Sequence, residues 1–484
     1  MADGTGSDGM EPPRSSFAES RRFVPRAFVQ PVLSFMRTEA SGGIIMLVAA
    51  VTAIAWANSP GGDSYFAFFD TPFEFGLGSI EFAHLDHLSI RDVINDALMT
   101  IFFFVVGLEI KRELVAGELR DPRAAAMPVL AAAGGMALPA GIFLLSTAGD
   151  ADALRGWGVP VATDIAFAVG VISLVGRKVP IAAKLFLLAL AIVDDIGGIL
   201  IIAIFYTEDL AGTWLALGLL GLVTMHVMKR TDVRSMLLYT AVGAFVWVCV
   251  LESGVHATLV GVALGLMTPT KPFYDPRLFP RRARKLVDRV DAYLPDEDSD
   301  PDHHTLERME SLMHDLRRLS RESIPPLERL ERALAPWSSF VVVPLFALAN
   351  AGVRISGDVV SGASSDPILL GVVFGLVVGK VVGVTGAAWI AVRTGIGRMP
   401  TGTTWRHLIG VGLLAGIGFT VALFIAALAY SGPALSSQLD SAKIGIFVAS
   451  LVAGIAGFLW LRAGPDPGSD EGSGDAHDVD PVRA

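Results

Sequence analysis

Residues 181–206 read IAAKLFLLALAIVDDIGGILIIAIFY, an apolar run long enough to cross a lipid bilayer. A spanning helix needs about 20 residues at a rise of ~1.5 Å each, and Asp194 and Asp195 fall near the middle of this one. A charged residue at that depth costs at least ~2.5 kcal/mol on insertion scales. Packing alone does not explain two adjacent carboxylates there, so they indicate a site that binds protons or a cation.

The composition extends this interpretation to the whole chain. Of its 484 residues, 52% are hydrophobic and 51 are glycine, which is typical of membrane proteins rather than of soluble domains. By the length criterion for a spanning helix, the sequence predicts an all-α polytopic membrane protein with about twelve transmembrane helices. The predicted spans lie at roughly 41–58, 92–110, 124–147, 159–175, 181–206, 212–228, 235–251, 254–269, 337–352, 366–392, 405–430 and 441–462.

Charges in the connecting segments predict the orientation of the chain. Basic residues cluster after alternate spans, and acidic residues occupy the segments between those clusters. Because basic loops stay in the cytoplasm, this alternation predicts that both termini are cytoplasmic. The basic residues are Lys111, Arg112, Arg120, Arg123, Arg177, Lys178, Lys229, Arg230, Arg234, Arg393, Arg398 and Arg406.

The segments outside the spans divide the chain further. Residues 1–30 and 464–484 are polar and are predicted to be disordered tails. The membrane domain is predicted to have two parts, 31–270 and 336–463. Between them lies a predicted cytoplasmic insert, 271–335, with a surface helix on it. The single cysteine, Cys249, excludes an intramolecular disulfide, and we expect no cofactor and no nucleic-acid partner.

The first outer loop contains a second structural signal. Residues 72–83 alternate apolar and polar side chains on both sides of a glycine turn, which predicts a β-hairpin. An isolated hairpin is marginally stable in water, so a second subunit is one candidate for its partner.

Further ionisable groups in apolar context indicate how the aspartate pair is arranged. Consecutive helical positions are ~100° apart, so Asp194 and Asp195 cannot face the same way. One can line an aqueous cavity while the other faces a neighbouring helix and needs a counter-ion. Lys380 is the natural counter-ion because no other lysine is central to a span; the alternative is a purely structural salt bridge. The other such groups are Asp96, Asp164 and His256.

Two of the predicted spans have features of broken helices. Pro160, which lacks a backbone donor, interrupts the short span that contains Asp164, and Gly416 and Gly418 interrupt the span at 405–430. Helix ends inside a membrane carry partial charges, which a carboxylate or an ammonium group can neutralise. Paired broken helices in corresponding positions of two halves indicate a transporter site near the midplane.

Several of these stretches closely resemble the NhaA-type sodium/proton antiporter family. They are INDALMTIFFFVVGLEIKREL, VATDIAFAVGVISLVG, LALAIVDDIGGILIIAIFY, SGVHATLVGV, PLFALANAGV and GIGFT, in the family's order between about residues 30 and 462. The family is itself an example of the transporters built from inverted repeats. The resemblance therefore implies twelve helices, inverted-topology repeats, and two discontinuous helices that cross at the midplane. It also implies a cytoplasmic funnel that ends at the aspartate pair.

The resemblance also implies roles for individual residues. Asp195 resembles the main carboxylate for Na⁺ and protons, and Asp194 its partner, able to bridge to Lys380. Thr163 and Asp164 resemble the residues at the crossing of the broken helices. Four positions resemble those that the family associates with pH activation at the funnel mouth: Glu109, Arg112, Glu113 and His256. For His256, a hydrogen bond between helices is an equal alternative.

Two other implications concern regions outside this site. The 72–83 hairpin resembles the family's contact in a homodimer. The stretch 274–325 is longer than the family's usual connection, so pH-sensing residues cannot be assigned there.

The predicted function is exchange of cytoplasmic Na⁺ or Li⁺ for external H⁺ in a bacterial cytoplasmic (inner) membrane. The expected ratio of two protons per Na⁺ would make the exchange electrogenic, and pH would regulate it. The nearest alternative is a sodium-coupled organic-solute symporter of similar fold. An intramembrane aspartyl protease and a passive cation channel are two others. A protease needs two carboxylates that converge on one water, whereas neighbours on one helix diverge.

Overall fold

A computed structural model describes residues 41–464, apart from 73–87, 208–209, 232, 234, 294–301, 356–361 and 363. The described residues form helices and no named strand, with one isolated antiparallel bridge between Pro72 and Ser89. The prediction of an all-α protein is confirmed for this part of the chain. The predicted hairpin at 72–83 and the predicted tails lie almost entirely outside the described residues.

The helices follow the predicted spans closely. A short helix, Asp63–Phe69, lies between the first two long ones. In chain order the longer helices are α1 (Ser41–Ala57), α2 (Ile90–Ala116), α3 (Pro122–Ser146), α4 (Ala151–Val161), α5 (Ile165–Val175), α6 (Ile181–Phe205), α7 (Gly212–Arg230), α8 (Met236–Glu252), α9 (Thr258–Met267), α10 (Phe279–Asp291), α11 (His303–Glu322), α12 (Pro326–Asn350), α13 (Pro367–Arg393), α14 (Trp405–Ala415), α15 (Phe419–Ala429) and α16 (Pro433–Arg462).

Their lengths identify a multi-pass membrane protein. Seven helices, α2, α3, α6, α7, α12, α13 and α16, are long and apolar enough to cross a bilayer. Two bent pairs, α4–α5 at 44° and α14–α15 at 43°, raise the number to nine if each pair is one span. Three further apolar helices, α1, α8 and α9, are shorter.

Local sequence explains where several helices begin. Ser89 and Asp92 form a reciprocal capping box at the start of α2, and each side chain satisfies one of the first amides. Asp366 accepts hydrogen bonds from the amides of Ile368 and Leu369 at the start of α13, where Pro367 needs no partner for a missing N–H. These caps fix the helix ends that precede long apolar runs.

One helix begins well before its predicted span. The sequence predicts a span from 337, within a membrane domain that resumes at 336, but α12 begins at Pro326 and includes Pro336. A π turn, Ser338–Val342, follows this proline directly. Such local widening satisfies the backbone groups that a proline leaves without partners, so the helix continues. The charged residues before Trp337 therefore belong to the same helix as the apolar span.

Close packing between helices depends on glycine at two contacts. Gly134 on α3 and Gly383 on α13 face each other, and a Cβ atom on either would overlap the backbone of the other. Gly261 and Gly265 of α9 lie in the same way against Thr100 and Gly107 of α2. Lipid supplies no hydrophobic drive for helix association, so close backbone approach through small residues favours such pairs. The α3–α13 contact brings α13 beside the centre of the bundle.

Candidate functional site

The two bent helix pairs meet at their breaks. Between α4 and α5, the amide of Asp164 donates to the carbonyl oxygen of Ile417, which lies between α14 and α15, at 2.6 Å. The hydroxyl oxygen of Thr163 lies 2.8 Å from the carbonyl oxygen of Ala415, the last residue of α14. Both residues are buried. The broken segments therefore satisfy each other's backbone groups where no regular helix can.

Asp164 binds the N-terminal ends of α5 and α15, the second helices of the two bent pairs. Its Oδ1 accepts from the amide of Phe167 at 3.0 Å, in the first turn of α5. Its Oδ2 accepts from the amide and the hydroxyl of Thr420 at 3.1 and 2.7 Å, in the first turn of α15. Each N-terminus carries a partial positive charge. One carboxylate thus compensates two helix dipoles and uses both its oxygens to do so.

Asp194 forms the buried ion pair beside this crossing. The Nζ of Lys380 lies 2.5 Å from its Oδ2, and both side chains are fully buried. The hydroxyl oxygen of Thr163 lies 2.8 Å from the same Oδ2. A hydroxyl has one hydrogen, so Thr163 donates either to Asp194 or to Ala415. The predicted pairing of Asp194 with Lys380 is thus a direct contact here, and Thr163 joins it.

Asp195 has different surroundings although it is the next residue. It is 5% exposed, and its Oδ1 is a buried atom with no hydrogen-bond partner in the described part of the chain. The Oδ1 of Asp194 is likewise buried and has no hydrogen-bond partner among the described residues. A buried carboxylate oxygen without a hydrogen-bond partner lowers the stability of the fold. These two oxygens have the chemistry of ligands for a hard monovalent cation or of acceptors for a proton, and the Thr163 hydroxyl is bound to the other oxygen of Asp194.

Two local features put Lys380 in place. A π turn, Gly375–Gly379, ends at the residue before it. On the facing helix α3, Gly135 allows close approach of α13 one turn after the lysine, since a Cβ atom there would lie 2.7 Å from Cγ2 of Val384. The ammonium group reaches Asp194 through an apolar layer without a competing carboxylate contact among the described residues.

Three of the predicted pH-response residues lie on α2. Glu109 is close enough to Asp195 to interact with it electrostatically. One turn further along, the Arg112 guanidinium donates to the Glu331 carboxylate on α12. Glu113 accepts from the amide of Glu118 at 3.0 Å. The charged groups on this part of α2 therefore connect Asp195, through Glu109 and Arg112, with Glu331 in the first half of α12.

Glu331 was not singled out from the sequence. It stands among many charged residues of the predicted insert, and its only distinguishing signal was its place shortly before an apolar span. The unexpected early start of α12 carries it to Arg112.

His256 does not join this group. It precedes α9, which packs parallel to α2 with Gly261 against Thr100 and Gly265 against Gly107. This register places His256 toward the Asp96 end of α2, away from Arg112. Its Nε2 lies 2.7 Å from the carbonyl oxygen of Tyr206 at the end of α6, which agrees with the structural alternative.

Asp96 lies apart from the aspartate pair as well. It belongs to a π turn of α2, Ile94–Leu98. Its backbone oxygen accepts from the hydroxyl of Thr100 at 2.5 Å, and the indole of Trp247 lies 2.9 Å from that hydroxyl. The structure therefore gives Asp96 a place at the α2–α8 contact rather than in the central cluster.

Comparison with known sequences decides the family. The sequence model of the family described as Na⁺/H⁺ antiporter 1 matches residues 33–461. The chain belongs to this family. It is 43% identical over 442 residues to the Na⁺/H⁺ antiporter NhaA of Rhodopirellula baltica, which covers 90% of this chain and 96% of that protein. It is 46% identical over 440 residues to the NhaA of an Anaeromyxobacter species, with 91% and 92% covered.

Another relative matches even more of the chain. The NhaA 2 antiporter of Sorangium cellulosum is 42% identical over 458 residues, 94% of this chain and 95% of that protein. Because the family consists of transporters, its membership sets aside the protease alternative.

Proposed function

We propose that this protein exchanges cytoplasmic Na⁺ for external H⁺ across a bacterial cytoplasmic membrane, at one site that includes Asp194 and Asp195. Family membership supports Na⁺ and H⁺ as the two exchanged ions. The observation that carries the assignment of the site is the buried Oδ1 of Asp195, which has no hydrogen-bond partner among the described residues, beside the Asp194–Lys380 pair. Li⁺, with the same charge and a small radius, is proposed as a second substrate.

The proposed architecture has twelve spans arranged as inverted repeats. Seven long helices, two bent pairs and three shorter apolar helices support this number. Under this proposal the bent pairs are discontinuous helices that cross at the midplane, and both termini are cytoplasmic. The shared contacts at Asp164 and Thr163 support the crossing.

The exchange is proposed to work by competition. A carboxyl group removed from water favours its neutral, protonated form, and a bound cation favours the ionised form. Asp195 therefore holds either a proton or Na⁺. Thr163 and the free oxygen of Asp194 supply further oxygen ligands, which hard cations prefer. Movement of one helix bundle against the other would expose the site to each side in turn.

A ratio of two protons per Na⁺ needs a second group that titrates. We assign the second proton to the buried carboxyl pair of Asp194 and Asp195, whose protonation steps belong to the pair rather than to either residue. On return the pair carries two protons more than when Na⁺ is bound. The loaded and returning sites then differ by one positive charge. A membrane potential of 100 mV contributes about 2.3 kcal/mol for each such charge.

Regulation by pH is proposed to act along α2. Glu109 links the site electrostatically to Arg112, which is bound to Glu331 on α12. The side chains of Arg112 and Glu331 are 40% and 14% exposed, so the pair is reachable from water. Protonation of this chain of acids would alter the field at Asp195. Glu113 belongs to the same stretch, whereas the contacts of His256 support a structural role.

A homodimer through residues 72–83 remains part of the proposal. Its support is that two strands alone are marginal in water. Cross-linking of single cysteines placed in that segment would test it.

The decisive experiment measures sodium-dependent collapse of a pH gradient in everted membrane vesicles. The parent protein is expected to collapse the gradient on addition of Na⁺, and Asp195→Asn to abolish the response because the amide binds no proton. Asp315→Asn, on the exposed face of α11, is the matched control and is expected to behave as the parent.

Each alternative gives a different outcome. Collapse that persists in Asp195→Asn would reject the site. A symporter would require an organic solute for any Na⁺ movement, and a channel would pass Na⁺ without a counter-flux of protons.

A further inference from the structure

Helix α10, in the segment between two spanning helices, has one apolar face and one strongly charged face. Its inner face, with Val290 at 9% exposure, lies toward α11. The opposite face is strongly basic. Arg277, Arg281, Arg284 and Lys285 lie there with Pro280 and a single acid, Asp288, around an open groove of about 390 Å³.

The cations of this groove are not compensated within the described part of the chain, where none of the four forms an ion pair. Arg282, one position round the helix, is different because its guanidinium lies over the ring of Tyr274 at 5.0 Å. Four cations against one carboxylate make a site for an anion. Arginine in particular binds phosphate oxygens through a planar pair of donors.

The groove lies close to the end of a membrane helix. The amides of Phe273 and Tyr274 both donate to the carbonyl oxygen of Glu322, at 3.0 and 3.2 Å. The amide of Leu327 donates to the carbonyl oxygen of Pro269 at 3.2 Å. These bonds tie both ends of the α10–α11 hairpin to the end of α9 and the start of α12, so the first turns of α10 are held near the membrane surface.

Exposed apolar side chains border the groove. Leu278, in the turn just before α10, is 44% exposed, and Val287, on α10 itself, is 43% exposed. A soluble anion would leave both in water. A lipid headgroup places phosphate in the groove and acyl chains beside the two apolar residues.

We propose that the α10 groove, lined by Arg277, Arg281, Arg284 and Lys285, binds the headgroups of anionic phospholipids. Basic segments next to a spanning helix are attracted to anionic lipids, and amphipathic helices lie at the boundary of headgroups and acyl chains. This binding goes beyond the proposed ion exchange and uses none of its residues. The occupant is a lipid phosphate rather than free phosphate or an acidic protein.

The test uses the full-length protein in nanodiscs, with Leu278→Cys carrying an environment-sensitive fluorophore. The native Cys249 is fully buried, and labelling of the protein without Leu278→Cys checks that it does not react. Emission is compared in phosphatidylcholine alone and with added phosphatidylglycerol. The inference predicts a blue shift with the anionic lipid, reversed by high salt.

A matched pair of variants locates the effect. Arg281→Gln with Lys285→Gln removes two charges from the groove. Arg317→Gln with Arg321→Gln removes two at the same spacing on α11. Each basic side chain near an anionic surface contributes a factor of about five, so the groove variant is expected to bind roughly 30-fold more weakly and to lose the shift. The α11 variant is expected to retain it, and both to keep sodium-dependent exchange.

Four results would overturn the inference. Equal emission in the two lipids would show that no lipid binds. Loss of the shift in both variants would show a general surface-charge effect. A shift caused by inorganic phosphate in phosphatidylcholine nanodiscs would identify a soluble-anion site. A change of emission in phosphatidylcholine on neutralising the acids at 296–298 would identify this chain's own acidic segment as the occupant. Ion exchange is measured separately, so it can fail or succeed independently.

Discussion

At the scale of single residues, one step along α6 separates two electrostatic environments. Asp194 has an ammonium group at 2.5 Å, whereas Asp195 has no comparable cation and keeps a buried oxygen without a hydrogen-bond partner in the described residues. Under the proposed exchange, Asp194 has its counter-ion in Lys380, and Asp195 is the main carboxylate for the substrate ion.

This division predicts that Lys380→Ala lowers stability as well as transport. Removing one member of a buried ion pair leaves the other uncompensated, which typically costs about 3–5 kcal/mol. Thermal unfolding in detergent measures the effect. Lys184→Ala is the control because Lys184 is near the start of α6 and only partly buried; a small shift is expected there.

A double variant checks that the lost stability comes from the unpaired charge. Asp194→Asn combined with Lys380→Met removes both charges, and should recover much of the lost stability. If Lys380→Ala unfolds at the parent's temperature, the ion pair does not stabilise the fold.

The residue contacts show what sequence can and cannot predict. The Asp194–Lys380 contact was predictable because only one lysine is central to a span and an isolated buried charge needs a partner. The contact of Thr420 with Asp164, through both the amide and the hydroxyl of the threonine, was not predicted. The two residues are 256 positions apart, and although the stretch GIGFT ends at Thr420, that motif does not indicate which carboxylate the hydroxyl binds.

At the scale of helices, the contact between the two bent pairs depends on small residues at the break. A Cβ atom on Gly416 would overlap the carbonyl oxygen of Leu376 on α13. That carbonyl belongs to the π turn before Lys380. The end of α14 and the position of the lysine are thus in direct contact.

Gly416→Ala is therefore expected to displace α14 from α13 and to reduce both transport and stability, by about 1–3 kcal/mol as for other overpacked sites. Thermal unfolding and vesicle exchange measure the two effects. Gly454→Ala on α16 is the control, because its nearest neighbour would be 3.6 Å away. Parent-like behaviour of both variants would show that the break tolerates movement.

Helix boundaries show a similar division between what could and could not be predicted. Apolar length predicted the long spans well, and the glycines of GIGFT marked the break at Gly416–Gly418. The early start of α12 at Pro326 was missed because its first turns are charged and Pro336 looked like a boundary. The π turns leave no composition signal, since they arise from packing between helices.

At the scale of the whole molecule, the proposed competition would link Na⁺ affinity to pH. In the pH range where the site is protonated, Na⁺ must displace protons to bind, and the coupling between the two ligands is reciprocal. The Na⁺ concentration for half-maximal flux is therefore expected to rise about tenfold per unit fall in pH if one proton is displaced. If two protons are displaced, the rise is about a hundredfold. Flux into proteoliposomes with equal pH on both sides measures this slope. A half-maximal concentration that ignores pH would contradict competition at one site.

The wide turn at Gly375–Gly379 has a consequence for how this protein tolerates insertions and deletions. A π turn holds one residue more than a regular turn, so everything after it in α13 is shifted in phase by about 100°. With a regular turn, the same lysine would point elsewhere on the cylinder and Asp194 would meet hydrocarbon. Loss of one residue within Gly375–Gly379 would therefore convert it to a regular turn and leave Lys380 facing Asp194, whereas loss of one residue of α13 elsewhere ahead of Lys380 would rotate the lysine away from the aspartate and remove the counter-ion.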